Sequence, residues 1–228
     1  MLWSPSPALA VASPVHVVDG APTVVHTLGD PDGAPVLALH GLRGSHHGLA
    51  PLASRLAGYR VVVPDLPGFG ASPAFTDRTH DVDGYARWAS ALLADLGPDT
   101  VLLGHSFGSI VAAAVCAAAA TTPRALVLVN PIAEPASDAG GVTGLGTAAT
   151  ALLHSGATVV AMSHLGRPDG EPNPAYSLAP VAQRMSELLG CPVVFSGDTF
   201  GPGAEEAIAS LSEPGVVLLE NLRFHAGE

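Results

Sequence analysis

Short apolar runs alternate along this chain with longer stretches whose apolar positions recur every three or four residues. Runs bounded by turn-forming residues read as strands, and the longer stretches read as helices. The pattern predicts strands over 15–18, 23–27, 36–39, 60–63, 125–129, 158–162, 192–195 and 215–222, with a further strand opening at 101. It predicts helices over 49–57, 85–96, 111–120, 147–153, 177–189 and 203–211. The first two strands flank Asp19-Gly20-Ala21-Pro22 and read as a hairpin. The remaining strands are Val- and Leu-rich with little alternation. That pattern suits a parallel sheet covered on both faces.

One stretch organises the rest. Val101-Leu102-Leu103 runs into Gly104-His105-Ser106-Phe107-Gly108, and a small-residue helix follows. This is a G-x-S-x-G nucleophile elbow between a strand and a helix. The turn forces the serine backbone into a strained conformation, and a side chain at Gly104 or Gly108 would crowd the neighbouring strand and helix. Ser106 is therefore the candidate nucleophile. The helix N-terminus beneath it favours negative charge.

Composition narrows the function. The 228 residues form roughly one large domain or two small ones, enough to bury a sizeable core. Apolar residues make up 48% and aromatic residues 5%, in keeping with a parallel α/β protein. The net charge of −11, with nine arginines and no lysine, excludes a nucleic-acid partner. No apolar run spans a membrane, and the first twelve residues lack the basic start of a secretory leader. Cys116 and Cys191 do not make a disulfide framework, so a reduced cytoplasmic setting, with recombinant expression, is expected. Neither a metal nor a cofactor is expected.

Three strings in order carry a family resemblance: His40-Gly41, Pro64-Asp65-Leu66-Pro67-Gly68-Phe69-Gly70-Ala71-Ser72, and Gly104-His105-Ser106-Phe107-Gly108. Over residues up to about 135 the chain resembles the α/β-hydrolase superfamily. The resemblance implies a serine nucleophile at Ser106 and an oxyanion hole from the backbone N–H groups of Leu42 and Phe107. A serine at the elbow points to ester, thioester or C–C bond hydrolysis. His40 reads as a structural residue of the oxyanion loop, His105 as a packing residue, and His46 and His47 as solvated loop residues. Asp65 reads as the cap of its own turn.

From about residue 140 the chain resembles something else. Ser163-His164-Leu165-Gly166-Arg167-Pro168 and Glu220-Asn221-Leu222-Arg223-Phe224 are specific strings, supported by 147–160, 176–181 and 188–190. They resemble the N-terminal domain of phosphoglycerate kinase. In that family the residues matching His164, Arg167 and Arg223 bind phosphoglycerate, and arginine suits bidentate contact with carboxylate or phosphate. Asn130-Pro131-Ile132-Ala133-Glu134-Pro135 does not keep the family's substrate-holding aspartate and asparagine, and no arginine lies between Arg124 and Arg167. Neither the nucleotide-binding domain nor a P-loop is present. Kinase activity is not expected.

Two resemblances meeting near 131–140 imply an engineered chimera. The expected architecture is a three-layer αβα fold with a mostly parallel sheet, hydrolase strands continued by kinase strands. By the kinase resemblance, strand 158–162 lies beside 125–129, strand 215–222 next, and 192–195 outermost. The hydrolase's own triad acid and histidine are missing. His225, Asp169 and Asp198 follow grafted strands and are the candidates to replace them. Three readings follow: a chimera lacking the full activity of either parent, a weak serine esterase built on Ser106, and an anion-binding module built on His164, Arg167 and Arg223. The matching partners are a small ester, a phosphate anion, or a second copy of the chain held at an apolar hollow or an open sheet edge.

Overall fold

A computed structural model describes residues 14–118, 122–131, 158–211 and 214–226. Its strands are β1 (Val15–Val18), β2 (Ala21–Gly29), β3 (Ala34–Leu39), β4 (Tyr59–Pro64), β5 (Val101–His105), β6 (Ala125–Val129), β7 (Thr158–Met162), β8 (Val193–Phe195) and β9 (Val216–Leu218). Its helices are α1 (Ala50–Ala53), α2 (Val82–Leu96), α3 (Phe107–Ala117), α4 (Ala179–Leu189) and α5 (Pro202–Ala209). The predicted helix over 147–153 lies outside the described residues.

All these strands join one sheet in the order β1-β2-β4-β3-β5-β6-β7-β9-β8. The pairs β1–β2 and β2–β4 are antiparallel, and every other neighbouring pair is parallel. The fold is α/β, and the order of the last three strands is the one the kinase resemblance implies. β6 pairs with β5 on one side and β7 on the other, in unbroken register from Ala125 opposite Thr158 to Val129 opposite Met162.

Side-chain burial shows why the sheet does not stop at β6. Leu102, Leu126 and Leu128 share one buried cluster with Val159 and Val216, and that cluster continues to Trp88, Leu93 and Val111 on α2 and α3. Met185 and Leu189 of α4 pack against the same cluster. On the opposite face Ala53 of α1 meets Val36, Val61 and Leu103, and Ala204 of α5 meets Val217 and Leu219. Helices thus cover both faces, giving three layers. Among the described residues no helix is long and apolar enough to cross a membrane.

Of the boundaries that differ from the sequence pattern, three have an identifiable structural cause. The helix expected over 49–57 shrinks to four residues, preceded by a 3-10 turn (His46–Gly48) and followed by Gly58 at φ 77°. The helix expected over 111–120 begins at Phe107, because Ser106 itself is the turn residue before it. β9 ends at Leu218 because buried polar side chains then take over. Glu220 accepts hydrogen bonds from Ser177 Oγ and the Leu178 amide, while Asn221 Nδ2 donates to Leu165 and Tyr176 carbonyls. A 3-10 turn (Leu222–Phe224) follows.

If the interior is shared, a small deletion in β9 must be felt by Trp88. Val216→Ala removes two buried carbons and is expected to cost about 2 kcal/mol. In a Trp3→Phe background, where Trp88 is the one tryptophan, urea unfolding followed by fluorescence should shift to a lower midpoint, in step with far-UV circular dichroism. An unshifted Trp88 transition would mean that the two parts unfold separately.

Candidate functional site

The carboxyl ends of β5, β6, β7 and β9 are stitched together by backbone hydrogen bonds. The Ser106 amide donates to Val129 O (2.9 Å), the Asn130 amide to Met162 O (2.8 Å), and the Leu222 amide to Ser163 O (3.0 Å). Ser106 stands at the junction of β5 and α3 with φ 53° and ψ −118°. Its glycine neighbours are required by contact. A Cβ on Gly104 would lie 2.4 Å from Gly108 O, and one on Gly108 would lie 2.2 Å from Leu39 O. Gly41 is similarly close, since its Cβ would sit 3.2 Å from Ser106 Cβ. The loop carrying Leu42 therefore passes directly beside the serine. Among the described residues neither the Leu42 nor the Phe107 amide donates to another backbone group. That leaves two N–H donors next to Ser106.

Buried histidines hold this loop. His40 is 1% exposed, donates from Nδ1 to Gly41 O (2.8 Å) and accepts at Nε2 from the Leu66 amide (2.9 Å). Both contacts fix the neutral form, and burial pushes His40 below the ordinary histidine value. His105 is lowered by burial as well. His40 and His105 are thus packing residues.

Asp65, also 1% exposed, does more than cap its own turn. It accepts from the Ala71 amide (2.9 Å), the His46 amide (2.8 Å) and His46 Nδ1 (3.1 Å), and His26 Nε2 lies 3.4 Å away. Burial raises its pKa, but the Ala71 and His46 hydrogen bonds outweigh that and hold the carboxyl below the usual range. The expectation that His46 is solvated therefore fails. Its ring packs on His26, with centroids 3.3 Å apart. His26 and His46 are far apart in sequence, in a strand and a loop, so only the β2–β4 pairing reveals the grouping.

The later candidates lie elsewhere. Arg167, Asp169, Arg223 and His225 line one open cavity of about 420 Å³. The His225 ring packs against Phe200, in the loop after the outermost strand, with centroids 4.6 Å apart. Ser106 does not line this cavity. Asp198 turns to the start of α5, where a Cβ on Gly203 would lie 2.0 Å from its Oδ2. His164 Nδ1 lies 3.0 Å from Asn130 Oδ1, at the ends of β7 and β6, and His164 is not among the cavity's lining residues. The structure thus brings Arg167, Asp169, Arg223 and His225 together, and leaves Ser106 three strands away from the strand that precedes His225.

Comparison with known proteins divides the chain at the same place. Residues 34–141 match the family model for the alpha/beta hydrolase fold, and residues 144–228 match that for phosphoglycerate kinase. Phosphoglycerate kinase of Leifsonia xyli subsp. xyli is 62% identical over 78 residues, which are 34% of this chain and 19% of that protein. The chain thus spans about a fifth of the length of the curated relatives it matches. Among solved structures, an N-acyl homoserine lactonase is 24% identical with a TM-score of 0.49, covering 64% of this chain and 59% of that one. A hypothetical protein of Pseudomonas aeruginosa PAO1 is 27% identical with a TM-score of 0.48, covering 65% of this chain and 52% of that one. The chain is a chimera of a hydrolase-like and a kinase-like segment.

The buried histidines make stability depend on pH. His26, His40 and His105 are all lowered in the fold, each chiefly by burial. Below the ordinary value of 6.5 the unfolded chain takes up protons that the fold refuses. Stability is then full above that value and falls as pH drops beneath it. The urea midpoint should be lower at about pH 5.5 than at pH 7.5. His40→Gln, which cannot titrate, should show a shallower dependence.

Proposed function

We propose that the chain is an engineered fold chimera whose chemistry is confined to Ser106, without the full activity of either parent. It is a slow serine hydrolase for activated carboxylic esters. The observation carrying this reading is the backbone of Ser106, held at φ 53° between two glycines that admit no side chain, with the Leu42 loop alongside. Both features support a nucleophile elbow beside an oxyanion hole. The Ser106 hydroxyl adds to the ester carbonyl and gives its proton to solvent water, the Leu42 and Phe107 amides receive the negative oxygen, the phenolate leaves, and water then hydrolyses the acyl-serine. Among the described residues no base is hydrogen-bonded to the Ser106 hydroxyl. His225 is held by Phe200, and Asp169 and Asp198 belong to other surroundings. Oxyanion donors and binding alone, without a working nucleophile, give roughly 10³–10⁴-fold acceleration over water. Hydrolysis of p-nitrophenyl acetate should exceed that level through Ser106 and fall back to it in Ser106→Ala. Equal rates in the two proteins would overturn the esterase reading.

A second reading rests on the cavity lined by Arg167, Asp169, Arg223 and His225. Two guanidinium groups at one opening suit a small carboxylate or phosphate anion. Arg223 is oriented there by donating from Nη1 to Gly166 O (2.9 Å). Calorimetric titration with 3-phosphoglycerate should give heat at millimolar ligand, abolished in Arg167→Ala. Absence of heat from the unsubstituted protein would reject anion binding.

A further inference from the structure

The loop network around Asp65 gathers two imidazoles on one buried carboxylate. Asp65 accepts two backbone N–H bonds, from Ala71 and His46. Two imidazoles face its remaining lone pairs, one from β2 and one from the 3-10 turn. Each costs desolvation, and their charged forms repel each other: His26 is lowered first by burial and then by His46. One carboxylate oxygen and one nitrogen from each histidine all lie within 4.8 Å of one another.

We propose that His26 Nε2, His46 Nδ1 and the Asp65 carboxylate bind a divalent transition-metal ion of the zinc class. Two imidazoles and one carboxylate form a donor set for such an ion, with the fourth position left to water. The spacing fits. Ligand atoms about 2.0–2.1 Å from a tetrahedral zinc are about 3.3 Å from one another. His26 Nε2 and His46 Nδ1 stand 3.4 and 3.1 Å from the Asp65 oxygens. The carboxylate is fixed for the task, because Gly70 leaves it no room: a Cβ there would lie 2.2 Å from Oδ2.

One adjustment is needed. The two rings stack at 17°, so their lone pairs lie in nearly parallel planes. Both reach one ion only if the rings splay apart. His46, 20% exposed on the short turn that follows the Leu42 loop, must turn outward together with the His47 ring, whose centroid lies 3.9 Å from its own. Each ring ligates through its bare nitrogen and keeps its single proton on the other one, so the ion competes with the second protonation of each imidazole and affinity rises with pH. The ion would pin β2, β4 and the loop beside Ser106 to a single point.

The full chain, stripped with EDTA, is titrated with Zn²⁺ at neutral pH by calorimetry. One ion per chain is expected, with affinity reduced about tenfold or more in His26→Ala and in His46→Ala. The double variant His164→Ala/His225→Ala should bind as the parent does. Trp88 fluorescence and circular dichroism check that each variant is folded. As a readout independent of substitution, NMR of the parent should show the His26 and His46 ring protons losing their mutual ring-current shift on Zn²⁺ addition. No heat, unmoved His26 and His46 resonances, or binding unaffected by His26→Ala and His46→Ala would each overturn the site.

Discussion

The pairing of β6 with β7 is the interaction on which the molecule depends. A sheet ending at β6 would present a row of unpaired amides and carbonyls, with Leu126 and Leu128 beside it. β7 removes both problems together. It satisfies the edge over five residues in register, and Val159 extends the apolar surface made by Leu102, Leu126 and Leu128. Nothing in that contact requires the strands to share an ancestor. A parallel ladder needs matching direction, matching twist and an apolar face at the same height. Both segments supply these, because both belong to sheets covered by helices on each side.

The same continuity sets Ser106 apart from the later candidates. β7 and β9 extend the sheet beyond β6 as parallel strands, with their carboxyl ends on the side of Ser106. Strand placement, however, fixes only where a loop begins. After β9 the chain is committed to its own contacts: Glu220 to Ser177 and Leu178, Asn221 to Leu165 and Tyr176. These bonds hold the turn that carries Arg223 and His225 over the cavity beside Arg167. They aim His225 at Phe200, in the loop following the outermost strand. A backbone layer tolerates such a join. A catalytic histidine must be placed to about 0.5 Å, and no contact in this turn serves that end.

Much of this was legible in the residues. Val- and Leu-rich runs announced the strands, and the glycines around Ser106 announced the strained turn, because a close approach of backbones leaves only one residue type. Strand ends were less legible. Glu220 and Asn221 stop β9 through bonds to residues more than forty positions away, which no local pattern encodes. The hidden feature was the surroundings of Asp65. In sequence it reads as a turn cap, which it is toward Ala71. Its other partners, His26 and His46, reach it only once β2 pairs antiparallel with β4 and the Leu42 loop folds back.

That last grouping bears on how the loop beside Ser106 is kept in place. His40 fastens one end of it through Leu66, and Asp65 fastens the other through His46. Both fastenings lie within the hydrolase-like segment and cross no boundary with the kinase-like one. A join after β6 therefore leaves the serine turn and its flanking amides with all the contacts that position them. What it forfeits is any side chain that must arrive from later strands. The division between what survives and what is lost follows the reach of the hydrogen bonds around each group. Contacts held by neighbours within β2 to β6 stay inside one segment, and the turn that carries Arg223 and His225 takes its contacts from the other.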